Sequence, residues 1–367
     1  MNDSTFLFVD DRPRSLATTY GTIDENRIRI KDPNSTTLSD VEWASVVLAD
    51  YNIDATLPEK DSAAAQLANV PRTGTALVAT MRSLEEAGVG DLAAPFRAYV
   101  LISAQIELIG TLLLPPDYLA HVGAGSLGVD WIFQKPRSIR ERADFGRRLE
   151  SLGGAVSRVR EIWNHGKDQV DELRTLLQIP ANLDWTDRAW GEVVEAHPRL
   201  RDPAERVRPR PVFRWLLQEA LPFPGVLLDS SYLAGRLRVD PGTIESVLTG
   251  GLADLISSAL YAGIFSDFFS QRWWRAGVEQ ILWDSTQGRS FDVHALREFT
   301  GGASRTDGEE LVVTLDENLS PNAKLTVISS KELELVRPLG WPNFAERPWM
   351  ASKDRESAIN YLEQPDA

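Results

Sequence analysis

Phe6-Leu7-Phe8-Val9 runs directly into two adjacent aspartates, Asp10 and Asp11. Val46-Val47-Leu48-Ala49 ends in Asp50, Tyr99-Val100-Leu101-Ile102 ends in Ser103, and Trp131-Ile132-Phe133 leads to Lys135-Pro136. Brought together, the three carboxylates would make an all-oxygen, negative pocket of the kind hard divalent cations occupy. Mg²⁺ in particular is held by one or two carboxylates plus waters and phosphate oxygens. Packed carboxylates repel one another unless a cation is bound, and a bound cation lets an anionic phosphoryl group approach an anionic side chain. A carboxylate can also carry a phosphoryl group covalently. Phosphoryl transfer asks mainly for in-line positioning and charge neutralisation. Lys135 offers a point charge for one phosphoryl oxygen and Ser103 a hydroxyl donor for another.

The elements that must position these residues are read from the runs themselves. Short, continuous apolar segments are the mark of strands buried on both faces of a parallel sheet. Each run ends in a polar residue at the same end. In an open, doubly wound α/β sheet the site lies outside the carboxyl ends of the strands. The pattern therefore predicts an α/β N-terminal domain on whose strand ends residues far apart in sequence converge.

In their order and strand-end placement, these residues resemble the receiver domain of two-component response regulators, over residues 1–138. The resemblance implies a flavodoxin-like sheet and a set of roles. Asp10 and Asp11 match the acidic pair that positions Mg²⁺. Asp50 matches the phosphoacceptor, which also faces the metal, and Asn52 the position whose backbone carbonyl is a ligand. Ser103 matches the switch hydroxyl, and Lys135, followed by Pro136, the phosphoryl-contacting lysine. A sensor histidine kinase is the implied phosphoryl donor, and the domain would catalyse its own phosphorylation and dephosphorylation. The chain departs from the family in three places. The interval from Asp50 to Ser103 is roughly twice what one β-α-β crossover needs, and the excess is assigned to an insertion near 54–70. Pro115-Pro116 lies in a long interval before Lys135, and Ile132 stands where the family's aromatic switch residue usually is. The insertion resembles that of divergent receivers, among them intermediate proteins of defence-type two-component systems.

Composition narrows the remainder. A chain of 367 residues suggests two domains. Its 43% apolar and 25% charged content is that of an ordinary globular protein. No apolar run reaches the length of a membrane helix, and the start lacks a basic and apolar leader, so the expected location is the cytoplasm. The absence of cysteine excludes disulfides, thiol chemistry and zinc ribbons. A net charge of −14 works against nucleic-acid binding. Basic residues nevertheless gather in Arg137–Arg160 and Arg199–Arg214.

Beyond the receiver-like part, Phe145, Leu149, Leu152, Val156, Val159 and Trp163 form a heptad seam. Residues 139–179 read as a connecting helix, or as a helical hairpin broken at His165-Gly166. Pairing of that seam with its copy would give a homodimer. Residues 180–367 read as an α-rich output or interaction domain. Its expected helices include Thr186–Ala196, one around Phe213–Leu221 and an apolar one over Leu252–Phe269. A helix-turn-helix-like pair spans Leu233–Leu248, with Arg238 where that motif usually has glycine. The second helix of the pair offers Thr243, Glu245 and Ser246 but no Lys or Arg, which disfavours base reading. Trp273-Trp274 reads as core in preference to a partner-binding hot spot. Two β-like runs near 310–328 predict a small hairpin, and Gly301–Gly308 a loose loop. His121, His165, His197 and His294 have no metal-ligand spacing, and no phosphate loop or nucleophile elbow occurs. The favoured function is thus a response-regulator-like protein that accepts a phosphoryl group on Asp50. One alternative is a DNA-binding regulator using residues 230–250. Another is a phosphate-sink component of an anti-phage two-component system, with a second receiver or effector as partner.

Overall fold

The computed structural model describes residues 4–12, 23–53, 73–87, 96–106, 109, 114–163, 169–197, 200, 208–249, 251–306, 310–329 and 332–363. The chain forms two compact units. The first comprises Met1–Leu176 and Arg208–Gln218, the second Leu177–Val207 and Glu219–Ala367.

The first unit is built on five parallel strands, β1 (Phe6–Val9), β2 (Ile28–Lys31), β3 (Val46–Asp50), β4 (Ala98–Ser103) and β5 (Trp131–Gln134), in the order β2-β1-β3-β4-β5. This is the flavodoxin-like order, and it makes the β1/β3 boundary the topological switch point. Every residue of β1, β3 and β4 is buried, which is why these strands read as unbroken apolar runs. β2 lies at the sheet edge, and its four residues are only half-buried. Its alternation Ile-Arg-Ile-Lys was not among the strands expected from sequence. Register places Val9 beside Ala49, Asp50 beside Ile102 and Ser103 beside Gln134, so the polar strand ends lie along one edge.

Four helices complete the α/β layers: α1 (Leu38–Trp43), α2 (Gly74–Glu86), α3 (Pro116–Leu127) and α4 (Ile139–Ile162). Thr37 and Asp40 close a capping box on α1, and the Thr73 hydroxyl accepts from Ala76 N to start α2. Gly128, at φ 66°, ends α3 in the left-handed region that glycine adopts at least cost. The seam residues Phe145, Leu149, Leu152, Val156 and Val159 of α4 are buried, and the helix packs against β3 and β4. Gly153 allows this helix to approach Ser4 and Phe6; a Cβ there would stand 2.6 Å from Ser4 Cβ. The segment expected to connect two domains from 139 onward is therefore a layer of the first unit, which extends to Leu176. A further helix, α5 (Gln169–Leu177), follows. The insertion near 54–70 and the break at His165-Gly166 lie outside the described residues.

Helix α6 (Thr186–Ala196) has the limits expected from sequence. Helix α7 (Pro209–Trp215) belongs to the first unit although the segments on either side belong to the second. Its anchor is Asp130, which is fully buried. Arg214 Nε donates to Asp130 Oδ1 at 2.6 Å, Arg210 Nη1 to Oδ2 at 3.1 Å, and Tyr99 N to Oδ2 at 2.7 Å. Burying a carboxylate is tolerated when it is paired and hydrogen-bonded in this way.

Among its described residues the second unit interleaves short helices with three small sheets. Trp273 and Trp274 form a strand antiparallel to Leu227–Leu228 and are 3% and 1% exposed, so the tryptophan pair is core. The first part of the expected hairpin is present, with Leu311–Val312 antiparallel to Thr326–Val327. Thr314–Leu315 leaves it to pair in parallel with Trp349–Ala351. Two expectations are corrected. The helix over Leu252–Phe269 is only Gly251–Ser257. It ends because Ala259 N and Leu260 N turn back onto Ile256 O and Ser257 O, after which Tyr261 N pairs with Arg272 O. Gly263 then permits close contact with Leu177 O, 2.6 Å from where a Cβ would be. The helix-turn-helix-like segment consists of α8 (Ser230–Arg236), a 3₁₀ turn at Pro241–Thr243 and α9 (Ile244–Val247). Four residues make barely one turn, too little for a helix that reads base edges along a groove. The stretch 301–306 is also tied down: Ser304 is buried and its hydroxyl donates to Leu237 O at 2.6 Å. No helix of the described residues is long and apolar enough to cross a membrane.

Candidate metal centre

Asp10 and Asp11 follow β1, Asp50 ends β3, Ser103 ends β4 and Lys135 follows β5. The parallel register brings all five to the carboxyl edge of the sheet. One carboxylate oxygen each from Asp10, Asp11 and Asp50 lie within 4.8 Å of one another. Asp10 is 1% and Asp50 8% exposed, and Asp11 is half-buried. This acidic triad is a place where a metal ion could bind.

Backbone hydrogen bonds fix the strand ends that carry these residues. Asp10 N donates to Lys31 O at 3.1 Å, which extends the β1–β2 pairing, and Asp10 Oδ1 accepts from Arg12 N at 2.7 Å. Tyr51 N donates to Ile102 O at 2.9 Å and Lys135 N to Ser103 O at 2.7 Å, carrying the ladder one residue past β3 and β5.

Lys135 is the charge that balances the cluster. Its Nζ donates to Asp10 Oδ2 and to Asp50 Oδ2, both at 2.8 Å. Burial pushes the Asp50 carboxyl above its ordinary value; the hydrogen bond and charge of Lys135 pull against that rise, while Asp10 and Asp11 add to it. Burial opposes the ammonium of Lys135, but its bonds to Asp10 and Asp50 outweigh this and hold its pKa above the ordinary lysine value. Two carboxylates share one ammonium with a third carboxylate beside them, so the cluster still favours added positive charge. Hard oxygen donors at this spacing suit a metal cation.

The remaining expected residues are placed as follows. Ser103 is 2% exposed, and its hydroxyl oxygen accepts from Gln105 N at 3.1 Å. Asn52 is exposed and makes an isolated antiparallel bridge to Thr73. Asp10, Asp11, Asp50 and Lys135 are thus in mutual reach, and Ser103 stands on the strand end between Asp50 and Lys135.

One residue of the site was not expected. Gly74 opens α2, its N donates to Tyr51 O at 3.0 Å, and a Cβ on it would fall 2.1 Å from Asp50 O and 3.1 Å from Leu101 Cδ2. No side chain fits there without moving Asp50 or the helix. The sequence signal is modest: Thr73 as an N-cap ahead of an apolar helical run, with the glycine at the first helical position.

Compared with known proteins, the chain matches no family model, no curated protein and no solved structure.

Proposed function

We propose that the first unit is a phosphoryl-accepting receiver domain of a two-component signalling protein. Asp50 is the acceptor. A carboxylate oxygen of Asp50 forms a bond to phosphorus as the bond from phosphorus to the donor breaks, and the donor group leaves with the electron pair. In the cell the donor is the phosphorylated imidazole of a partner histidine kinase. Asp10, Asp11, Asp50 and the Asn52 carbonyl would hold Mg²⁺, which supplies charge neutralisation during the transfer. Lys135 takes a phosphoryl oxygen, and Ser103 offers its hydroxyl to the aspartyl phosphate.

The observation that carries this reading is the double hydrogen bond of Lys135 Nζ to Asp10 and Asp50 at the ends of three parallel strands. A bare acidic cluster would suit many cation sites. A lysine bridging an acidic pair and a lone carboxylate at the switch point of a doubly wound sheet suits a transferred anion as well. Signal output is assigned to the second unit, acting on a protein partner.

Purified full-length protein, incubated with Mg²⁺ and acetyl phosphate, should gain one phosphoryl group by intact-mass spectrometry. Asp50→Asn should gain none. Equal gain by that variant removes the acceptor assignment, and no gain by the wild type removes the reading.

A further inference from the structure

The second unit contains a cleft of about 530 Å³ that the phosphoryl reading does not use. It is lined by Trp283 of helix α10 (Arg275–Ser285), by Phe291 ahead of helix α11 (Val293–Phe299), and by Arg188, Arg236, Arg238 and Glu279. Its volume is that of a small-molecule site.

Three observations bear on its ligand. The first is aromatic surface left open. Phe291 is 93% and Trp283 54% exposed, the two most exposed large apolar rings among the described residues. Trp283 is also held in place. Gly288 N donates to Trp283 O at 2.8 Å, and the indole lies so close to Gly288 that a Cβ there would stand 3.2 Å from its Cζ2. A propped ring with exposed surface is a stacking platform for a flat group.

The second observation is charge. Three guanidiniums, Arg188, Arg236 and Arg238, and two carboxylates, Glu279 and Glu310, line the cleft. Glu279 is shared between Arg188 and Arg236, and Arg236 also pairs with Glu346. Arg188 also pairs with Glu192, so a phosphate entering the cleft would compete with these carboxylates for Arg188 and Arg236.

The third is backbone strain at Arg238. Helix α8 ends in a Schellman turn, with Val239 N donating to Ala234 O at 3.0 Å and Arg238 N to Gly235 O at 3.1 Å. Arg238 is the left-handed residue of that turn, at φ 56°, where glycine is cheapest. Among the described non-glycine residues with positive φ, it is the one that lines this cleft. A side chain retained against backbone preference points to a use for that side chain.

We propose that this cleft binds a nucleotide, with the base stacked on Trp283 and the phosphate taken by the arginines, Arg238 foremost. The two halves of the ligand answer the two halves of the lining, and neither a neutral aromatic molecule nor a bare anion would use both.

Isothermal titration of the full-length protein with adenosine, guanosine, cytidine and uridine monophosphates tests this, with the four nucleosides and inorganic phosphate as separate arms. At least one monophosphate should bind saturably. Its nucleoside and phosphate alone should each bind at least about tenfold more weakly, the effect of about 1.4 kcal/mol. Trp283→Leu and Arg238→Gly should each weaken binding about tenfold or more. Arg238→Gly should melt no lower than wild type, because glycine suits the left-handed position of the turn, which separates lost binding from lost folding. The proposal fails if no monophosphate binds at millimolar concentration. It fails equally if phosphate or nucleoside alone binds as well as the nucleotide, or if both variants bind as the wild type does.

Discussion

Lys135 Nζ lies 2.8 Å from Asp50 Oδ2, although the two residues are 85 positions apart in the chain. The contact exists because β4 separates β3 from β5 in the sheet and all three strands run in parallel. The same ammonium also reaches Asp10, at the end of β1 beyond β3, again at 2.8 Å. Removing it leaves two buried carboxylates facing each other. Lys135→Met is therefore expected to destabilise the protein by about 3 kcal/mol, the cost of orphaning a buried charge. Millimolar Mg²⁺ should recover part of that loss. Urea denaturation of wild type and variant, with and without Mg²⁺, measures both effects. A variant as stable as wild type in metal-free buffer would show that Lys135 does not neutralise the cluster.

The titration of Asp50 has a sign that can be checked. Burial raises its carboxyl above the ordinary 3.8 in the folded protein. Between 3.8 and that raised value the folded state holds the proton more tightly than the unfolded state. The contribution of Asp50 to stability is therefore most favourable in acid, and it declines as pH rises through that window. At neutral pH the ionised group is a residual penalty. Asp50→Asn should remove both the slope and the penalty and raise Tm at pH 7 by a few degrees, roughly 1 kcal/mol. The wild type should gain more Tm from Mg²⁺ than the variant does. Thermal melts between pH 4 and 8 test this, and an Asn variant that melts lower than wild type at pH 7 contradicts it.

Gly74 makes a prediction about shape alone. A Cβ at this position would overlap Asp50 O at 2.1 Å. Backbone cannot yield as a flexible side chain can, so α2 or the end of β3 must move. Gly74→Ala is expected to cost about 2 kcal/mol, within the range of overpacking, and, on the proposed function, to slow phosphoryl transfer to Asp50 by shifting its carboxylate. Gly191, which has nothing within 4 Å of a Cβ, is the matched control. Gly191→Ala, within α6, should stabilise by about 0.5–1 kcal/mol on helix propensity alone.

The strand-end positions of Asp10, Asp11, Asp50, Ser103 and Lys135 were legible in sequence because strands buried on both faces leave an uninterrupted apolar run, and the polar residue that ends each run marks the strand's carboxyl end. β2 was not legible for the converse reason: at the edge, Ile28 and Ile30 alternate with Arg29 and Lys31 in a half-buried strand. Gly74 could not be read either, since its role depends on the Asp50 carbonyl across a turn. The apolar residues of 252–269 read as one helix, yet Ala259 N and Leu260 N turn back onto Ile256 O and Ser257 O and end it early, and Tyr261 N then pairs with Arg272 O. The seam of α4 illustrates an ambiguity of pattern. Heptad spacing marks an apolar face but does not say whether a second copy or the chain's own sheet will cover it, and here it is the sheet.

Asp130, outside the acidic triad, is held by three donors. It is fully buried and accepts from Arg210, Arg214 and the Tyr99 backbone. Arg210 in turn donates to Glu85 at 3.0 Å. The arginines lie on α7, which belongs to the first unit through these contacts and through Gln218, whose Nε2 donates to Val129 O at 2.8 Å and to Asp130 O at 3.0 Å. Asp130→Ala removes the anion and leaves Arg210 with Glu85 and Arg214 with the Gly128 carbonyl, so a loss of about 3 kcal/mol is expected. Arg214→Leu should cost less, because Arg210 still pairs with the carboxylate. Hydrogen exchange should show faster amide exchange across 209–218 in both variants, with β1 and β3 protected as in wild type in Arg214→Leu. Unchanged exchange across α7 in Asp130→Ala would mean that apolar packing of Phe213 and Trp215, both buried, holds the helix without the ionic anchor.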